Sequence, residues 1–177
     1  IHNPNDFKNS ISLEKLLFKS CTADYGGAIY IYSSSMTNDV SIKGCTFQEN
    51  KVSQNKDPSD EMSGGSAIFL MTKRGVIMSC KFKSNIGPGG SVKMVGNFQS
   101  DSNTASFLYH ENIPKIEMKD CFFSGSESAI FYLACSEFSS QVEVSDCVFA
   151  GKLAKDGHYI EGLMVNKKAP KMFVRSC

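Results

Sequence analysis

The chain has 177 residues, 41% hydrophobic content and a formal net charge of +1 from 19 basic and 18 acidic residues. That is enough apolar material for a continuous core, and the balanced charge leaves no field that would favour nucleic acid as a partner. No apolar run approaches the roughly 20 residues of a membrane-spanning helix, and the polar opening Ile1 to Asp6 is no signal peptide, so direct membrane insertion of this segment is not expected.

In chain order, the first readable element is Leu13 to Lys19, the one stretch whose apolar spacing suits a short helix. A strand follows in Gly26-Gly27-Ala28-Ile29-Tyr30-Ile31, introduced by small residues. Next comes the unit that organises the chain, Val40-Ser41-Ile42-Lys43-Gly44-Cys45-Thr46-Phe47. It recurs as Gly75 to Phe82, Ile116 to Phe123 and Val142 to Phe149, and a last copy, Met172 to Cys177, stops before its Phe. Between these copies lie further small-residue strands: Gly64 to Leu70, Gly89 to Met94, Ser128 to Leu133 and a weaker one at Gly162 to Val165.

Read as a column, the position five before each Cys holds Val, Gly, Ile, Val and Met, and the position three before holds Ile, Ile, Met, Val and Val. The residues between them, Ser41, Val76, Glu117, Glu143 and Phe173, mostly tolerate water, which is the period-two alternation of a strand with one buried face. Alternation breaks by one residue just before the Cys, where Gly44, Ser79, Asp120, Asp146 and Ser176 stand, so a bend is expected there. Beyond the bend, Cys and the Phe two residues later point to one side and make a second short strand. With the small-residue strand, each repeat supplies three strands.

Cysteine spacings of 35, 41, 26 and 30 residues are too irregular for helical or leucine-rich repeats. Stacked β-coils tolerate such irregularity, because an insertion leaves the stack as a loop at little entropic cost. Two insertions are expected, near 51–63 and 96–114. The fold class expected is therefore all-β, a right-handed parallel β-helix (solenoid) of about five coils, forming a single domain over 1–177. The chain lacks an initial Met and ends inside a repeat, so it reads as a segment truncated at both ends from a longer protein.

The pairing of Gly-Gly-Ala-Ile (Gly26 to Ile29) with Phe-x-x-Asn (Phe47 to Asn50, Phe82 to Asn85) resembles the repeats of polymorphic membrane proteins, found in chlamydial autotransporters and protist surface proteins. The first repeat replaces Asn with Cys21, and later ones lead from Phe123 to Ser126 and from Phe149 to Lys152, so the motif decays toward the C-terminus. The resemblance covers nearly the whole chain and is specific for fold rather than function. It implies a cell-surface or extracellular protein engaged in adhesion.

Candidate site residues fall into ladders. Cys45, Cys80, Cys121, Cys147 and Cys177 share one register and are expected to stack about 4.8 Å apart as buried thiols, a separation that suits disulfides poorly. Cys21 and Cys135 lie off that ladder. Phe47, Phe82, Phe123 and Phe149 are expected to form an internal aromatic stack, and Asn50 and Asn85 an amide ladder at an interior turn. Register also places Glu117 over Glu143 and Asp120 over Asp146; Ca²⁺ binding or acid–base work on a glycan is conceivable there, but Lys115 and Lys119 beside them point to solvated surface charge. Asp57, Asp60 and Glu61 lack the alternation of a calcium loop, and His2, His110 and His158 are far apart without a nucleophile context. No Cys-x-x-Cys or Cys/His pair has ligand spacing, so no catalytic, metal or cofactor site is expected.

These observations give the expectation of a non-catalytic structural or adhesive segment, a stiff rod whose loops meet a protein or glycan partner at a cell surface or within a larger assembly. A carbohydrate-active enzyme scaffold of the pectin-lyase type, and a rod in an intracellular filament or ciliary assembly, are the alternatives. None of the eleven asparagines begins an Asn-x-Ser/Thr acceptor, a point against a eukaryotic extracellular address.

Overall fold

A computed structural model describes residues 10–32, 39–53, 64–72, 74–87, 90–96, 115–125, 131–135, 141–150, 160–164 and 171–177. The first repeat contributes β1 (Ser10–Glu14), β2 (Leu17–Lys19), β3 (Thr22–Ala23) and β4 (Ile29–Tyr32). The second contributes β5 (Asp39–Lys43), β6 (Thr46–Gln48), β7 (Lys51–Val52) and β8 (Ile68–Met71), and the third β9 (Arg74–Met78), β10 (Lys81–Lys83) and β11 (Val92–Gly96). Then follow β12 (Lys115–Lys119), β13 (Phe122–Ser124) and β14 (Phe131–Cys135), next β15 (Gln141–Ser145), β16 (Val148–Ala150) and β17 (Ile160–Met164), and finally β18 (Lys171–Arg175). The protein is all-β among the described residues.

Three large sheets take one strand from each repeat. Their orders are β1-β5-β9-β12-β15-β18, β2-β6-β10-β13-β16 and β4-β8-β11-β14-β17, with a two-stranded sheet β3-β7 beside them. Pairing is parallel between neighbours throughout, for example Ile42 with Ile77 and Phe47 with Phe82. The chain visits the large sheets in the same order each time and returns to the first one strand farther along.

Alternation explains which face is buried. In β5 and β9, Val40, Ile42, Gly75 and Ile77 are buried while their neighbours are exposed or half-exposed. Val40, Ile42 and Ile77 join Cys45, Phe47, Cys80, Phe82, Cys121 and Phe123 from the bend and second strand, and Ile29, Ile31, Ile68, Leu70, Val92 and Met94 from the third sheet, in one apolar cluster. At β8 the other face is buried too, through Phe69 and Met71, and Lys93 of β11, in register with Phe69, is only 1% exposed.

Backbone pairing continues through the bends, so few peptide groups are left without partners there. Gly44 N–H donates to the Met78 carbonyl and Ser79 N–H to the Lys119 carbonyl, both at 2.9 Å; after the bend Lys81 N–H reaches the Cys45 carbonyl at 2.9 Å. Gly44, Ser79, Asp120, Asp146 and Ser176, the residues expected at the bend, have φ between 51° and 61°, the left-handed region that Gly, Asn and Asp accept most readily.

Leu13 to Lys19 is not helical, contrary to expectation. Leu13 pairs with Ile42 inside β1, Lys15 turns the bend at φ 53°, and Leu17–Lys19 forms β2 opposite Thr46–Gln48. The leucines at 13, 16 and 17 have helical spacing, but the same spacing fits strand, bend and strand. Lys15 N–H donates to the Lys43 carbonyl at 2.9 Å and the Leu16 carbonyl accepts from Thr46 N–H at 2.8 Å, so neighbouring repeats take the groups that a helix would bond internally. Leu16 occupies the position that Cys fills later. The strand expected at Gly162 to Val165 lies at Ile160–Met164 instead.

Candidate functional site

The candidate residues lie in three internal columns, each fixed by the strand register. The phenylalanine column runs through the second sheet. Ring centroids are 5.0 Å apart between Phe18 and Phe47, 5.0 Å between Phe47 and Phe82, 4.6 Å between Phe82 and Phe123 and 5.2 Å between Phe123 and Phe149, with interplanar angles of 3° to 16°. These separations follow from the strand spacing of about 4.8 Å, which brings in-register rings into stacking range. Phe18 extends the column by one member not singled out in the sequence ladder.

The asparagine column stands at the next corner. Asn50 and Asn85 are both fully buried. The Asn50 Oδ1 accepts the Cys21 N–H at 3.0 Å, and the Asn85 Oδ1 accepts the Asn50 N–H at 3.0 Å. Their amides donate back, Asn50 to the Phe18 carbonyl and Asn85 to the Phe47 carbonyl, each at 3.1 Å, and Asn50 Nδ2 also reaches Asn85 Oδ1 at 3.0 Å. Cys21 takes the asparagine position in the first repeat. Each amide thus satisfies backbone groups of the preceding repeat at a corner where the ladder would otherwise open.

The thiol column lies on the inner side of the bend. Cys45, Cys80, Cys121 and Cys147 are between 0% and 2% exposed, while Cys177 at the end of the column is exposed. Cys21 and the five column cysteines are free thiols; only the backbone of Cys135, in β14, is described. Burial raises the Cys45 thiol above its ordinary value. Cys121 is pushed far above it by its neighbours Cys147 and Cys80 and by burial. Cys80 and Cys147 are correspondingly lowered, since a thiolate at either accepts from the Cys121 S–H.

On the outside, Glu117 and Glu143 are register partners. Arg175 lies 4.0 Å from the Glu143 carboxylate and Lys119 3.9 Å from that of Asp146, and the Ser79 hydroxyl donates to Asp120 Oδ2 at 2.9 Å. Met78, Ser79, Lys119, Asp120 and Asp146 line a shallow depression of ≈ 360 Å³. The carboxylates there are balanced by exposed cations and a hydroxyl, an arrangement that water screens strongly. Among the described residues, no three or more His, Cys, Asp or Glu side chains are grouped to hold a metal ion, and no helix is long and apolar enough to cross a membrane. His2, His110, His158, Asp57, Asp60, Glu61, Ser126 and Lys152 lie outside the described residues, as do all but the edges of the insertions at 51–63 and 96–114.

Compared with known proteins, the chain matches no family model, no curated protein and no solved structure.

Proposed function

We propose that the three parallel sheets are the faces of one right-handed parallel β-helix, and that this solenoid is a non-catalytic structural or adhesive segment of a cell-surface or extracellular protein. The observation that carries the reading is the rotation of the chain through the same three sheets, each return falling in register on the strand before. A parallel crossover that returns to its own sheet is right-handed in nearly all proteins, which supplies the hand. Parallel ladders that continue around the bends make a stiff rod, and the polar insertions at 51–63 and 96–114 are the natural places for a protein or glycan partner to bind. The likeness of its Gly-Gly-Ala-Ile and Phe-x-x-Asn motifs to polymorphic membrane protein repeats supports the same reading. Trimming both insertions to short turns should abolish binding to cells or matrix while leaving the melting temperature nearly unchanged; undiminished adhesion would count against the proposal.

The second reading, a rod in an intracellular assembly, is favoured by the free thiols of Cys21 and the thiol column, since reduced cysteines are the rule in reducing compartments. Thiol titration of protein isolated without reductant separates the two. Fully titratable thiols under denaturant fit the intracellular rod, and blocking of Cys21 and Cys135, the two that lie off the in-register column, fits the extracellular one.

A further inference from the structure

The thiol column has a geometry that its role in packing does not use. Each sulfur lies between the same two carbonyls. For Cys45, Cys80, Cys121, Cys147 and Cys177 the carbonyl two residues back is at 3.4, 3.3, 3.3, 3.3 and 3.2 Å. The carbonyl of the preceding repeat, from Leu13, Ile42, Ile77, Met118 and Val144 in turn, is at 3.6, 3.6, 3.7, 3.9 and 3.9 Å. Side chains that make the same contacts share one orientation, so successive sulfurs repeat at the strand spacing of about 4.8 Å.

That spacing sorts the chemistry open to the column. A disulfide needs sulfurs about 2.05 Å apart and Cβ atoms near 3.8 Å, so forming one means displacing a strand. Tetrahedral zinc needs four donors converging on one point at about 2.3 Å, which a straight line of sulfurs cannot supply. Two metal–sulfur bonds of roughly 2.2–2.3 Å laid end to end span about 4.5 Å, close to the separation of one sulfur from the next.

We propose that neighbouring thiols of this column bind soft two-coordinate d¹⁰ cations, Cu(I) above all, with the ion midway between in-register sulfurs. Thiolate selects such an ion over harder ones. A monovalent ion needs one thiolate and one thiol: a single proton leaves to solvent, two sulfur–metal bonds form, no electron is transferred, and the buried site stays neutral. The exposed Cys177 next to Cys147 gives an ion a way in. The inference depends on the register of the thiols and not on the scaffold role, so it stands or falls separately.

The test removes the same number of thiols in two ways. Cys80→Ala/Cys147→Ala leaves Cys45, Cys121 and Cys177, no two of which are adjacent in the column; Cys45→Ala/Cys177→Ala leaves Cys80, Cys121 and Cys147 contiguous. Cu(I) is supplied anaerobically to the full chain from a bicinchoninate competitor, both to folded protein and during refolding. The unaltered chain should take up ions in adjacent pairs, with X-ray absorption showing only two sulfur neighbours, and the contiguous variant should retain tight binding. The alternating variant should lose it, although Cys21 and Cys135 remain in both. Equal binding by the two variants, no competition by the unaltered chain, or a third ligand in the absorption spectrum would overturn the proposal. Far-UV circular dichroism checks that each variant is folded, and Cys80→Val/Cys147→Val, which fills the volume, replaces the alanine pair if that pair is not.

Discussion

Two corners of the repeat solve the same problem in different ways. At the bend before the thiol column the backbone enters the left-handed region, yet the residues there are Lys15, Gly44, Ser79, Asp120, Asp146 and Ser176. A Cβ built on Gly44 would meet nothing nearer than the Lys15 side chain at 3.6 Å. At the corner before the third sheet the equivalent residues are Gly26 and Gly65, where a Cβ would stand 2.2 Å from the carbonyl oxygens of Ile29 and Ile68; on Gly27 it would stand 2.1 Å from that of Ser66. A positive φ alone therefore does not demand glycine. Close approach of one backbone segment to another does.

Substitutions sharpen that contrast. Gly65→Ala combines a left-handed φ with a backbone collision and should cost at least about 3 kcal/mol, or prevent folding, in urea denaturation. A loss under about 1 kcal/mol would show that the third corner is far looser than described. Asn50→Ala, at the remaining corner, strands the part-buried Cys21 N–H and the Phe18 carbonyl and should cost about 2 kcal/mol by the same measurement. Gly44→Ala should cost only about 1 kcal/mol, the conformational term without the collision, and Gly44→Asn less.

The smallest effect is electrostatic. Burial holds the Cys45 thiol above its ordinary value, so the folded state binds that proton more tightly than the unfolded one. This contribution is intact below the unfolded thiol value, about 8.5, and is lost as pH rises beyond it toward the folded value. Denaturation at pH 7 and pH 10 should show a smaller alkaline loss for Cys45→Ala than for the unaltered chain; an equal loss would place the cause elsewhere.

Much of this was legible in the sequence because the columns repeat identities: Cys45 to Cys147 and Phe47 to Phe149 announce their register by being the same residue. Where identity changes while position does not, the signal fails. Leu16 fills the cysteine position, and only the pairing of Phe18 with Phe47 shows this; Cys21 at the asparagine position could be read because Phe18 precedes it at the motif's spacing. Leu13, Leu16 and Leu17 imitate a helix, because the periodicity of three and four residues also describes a strand that bends and restarts. The burial of Lys93 could not be read either, since alternation places it on the face opposite Val92 and Met94, where solvent is the ordinary expectation. The short pairing of β3 with β7 has too few residues for any periodicity.

The central claim is that equivalent side chains lie over one another. Ring-labelled phenylalanine examined by NMR tests it most directly, with single Phe→Leu variants to assign the resonances. Nuclear Overhauser contacts should run from Phe18 to Phe47 to Phe82 to Phe123 to Phe149, each ring touching only its neighbours in that series. Absence of the Phe47–Phe82 contact, with either ring instead close to a phenylalanine outside the series, would contradict the account.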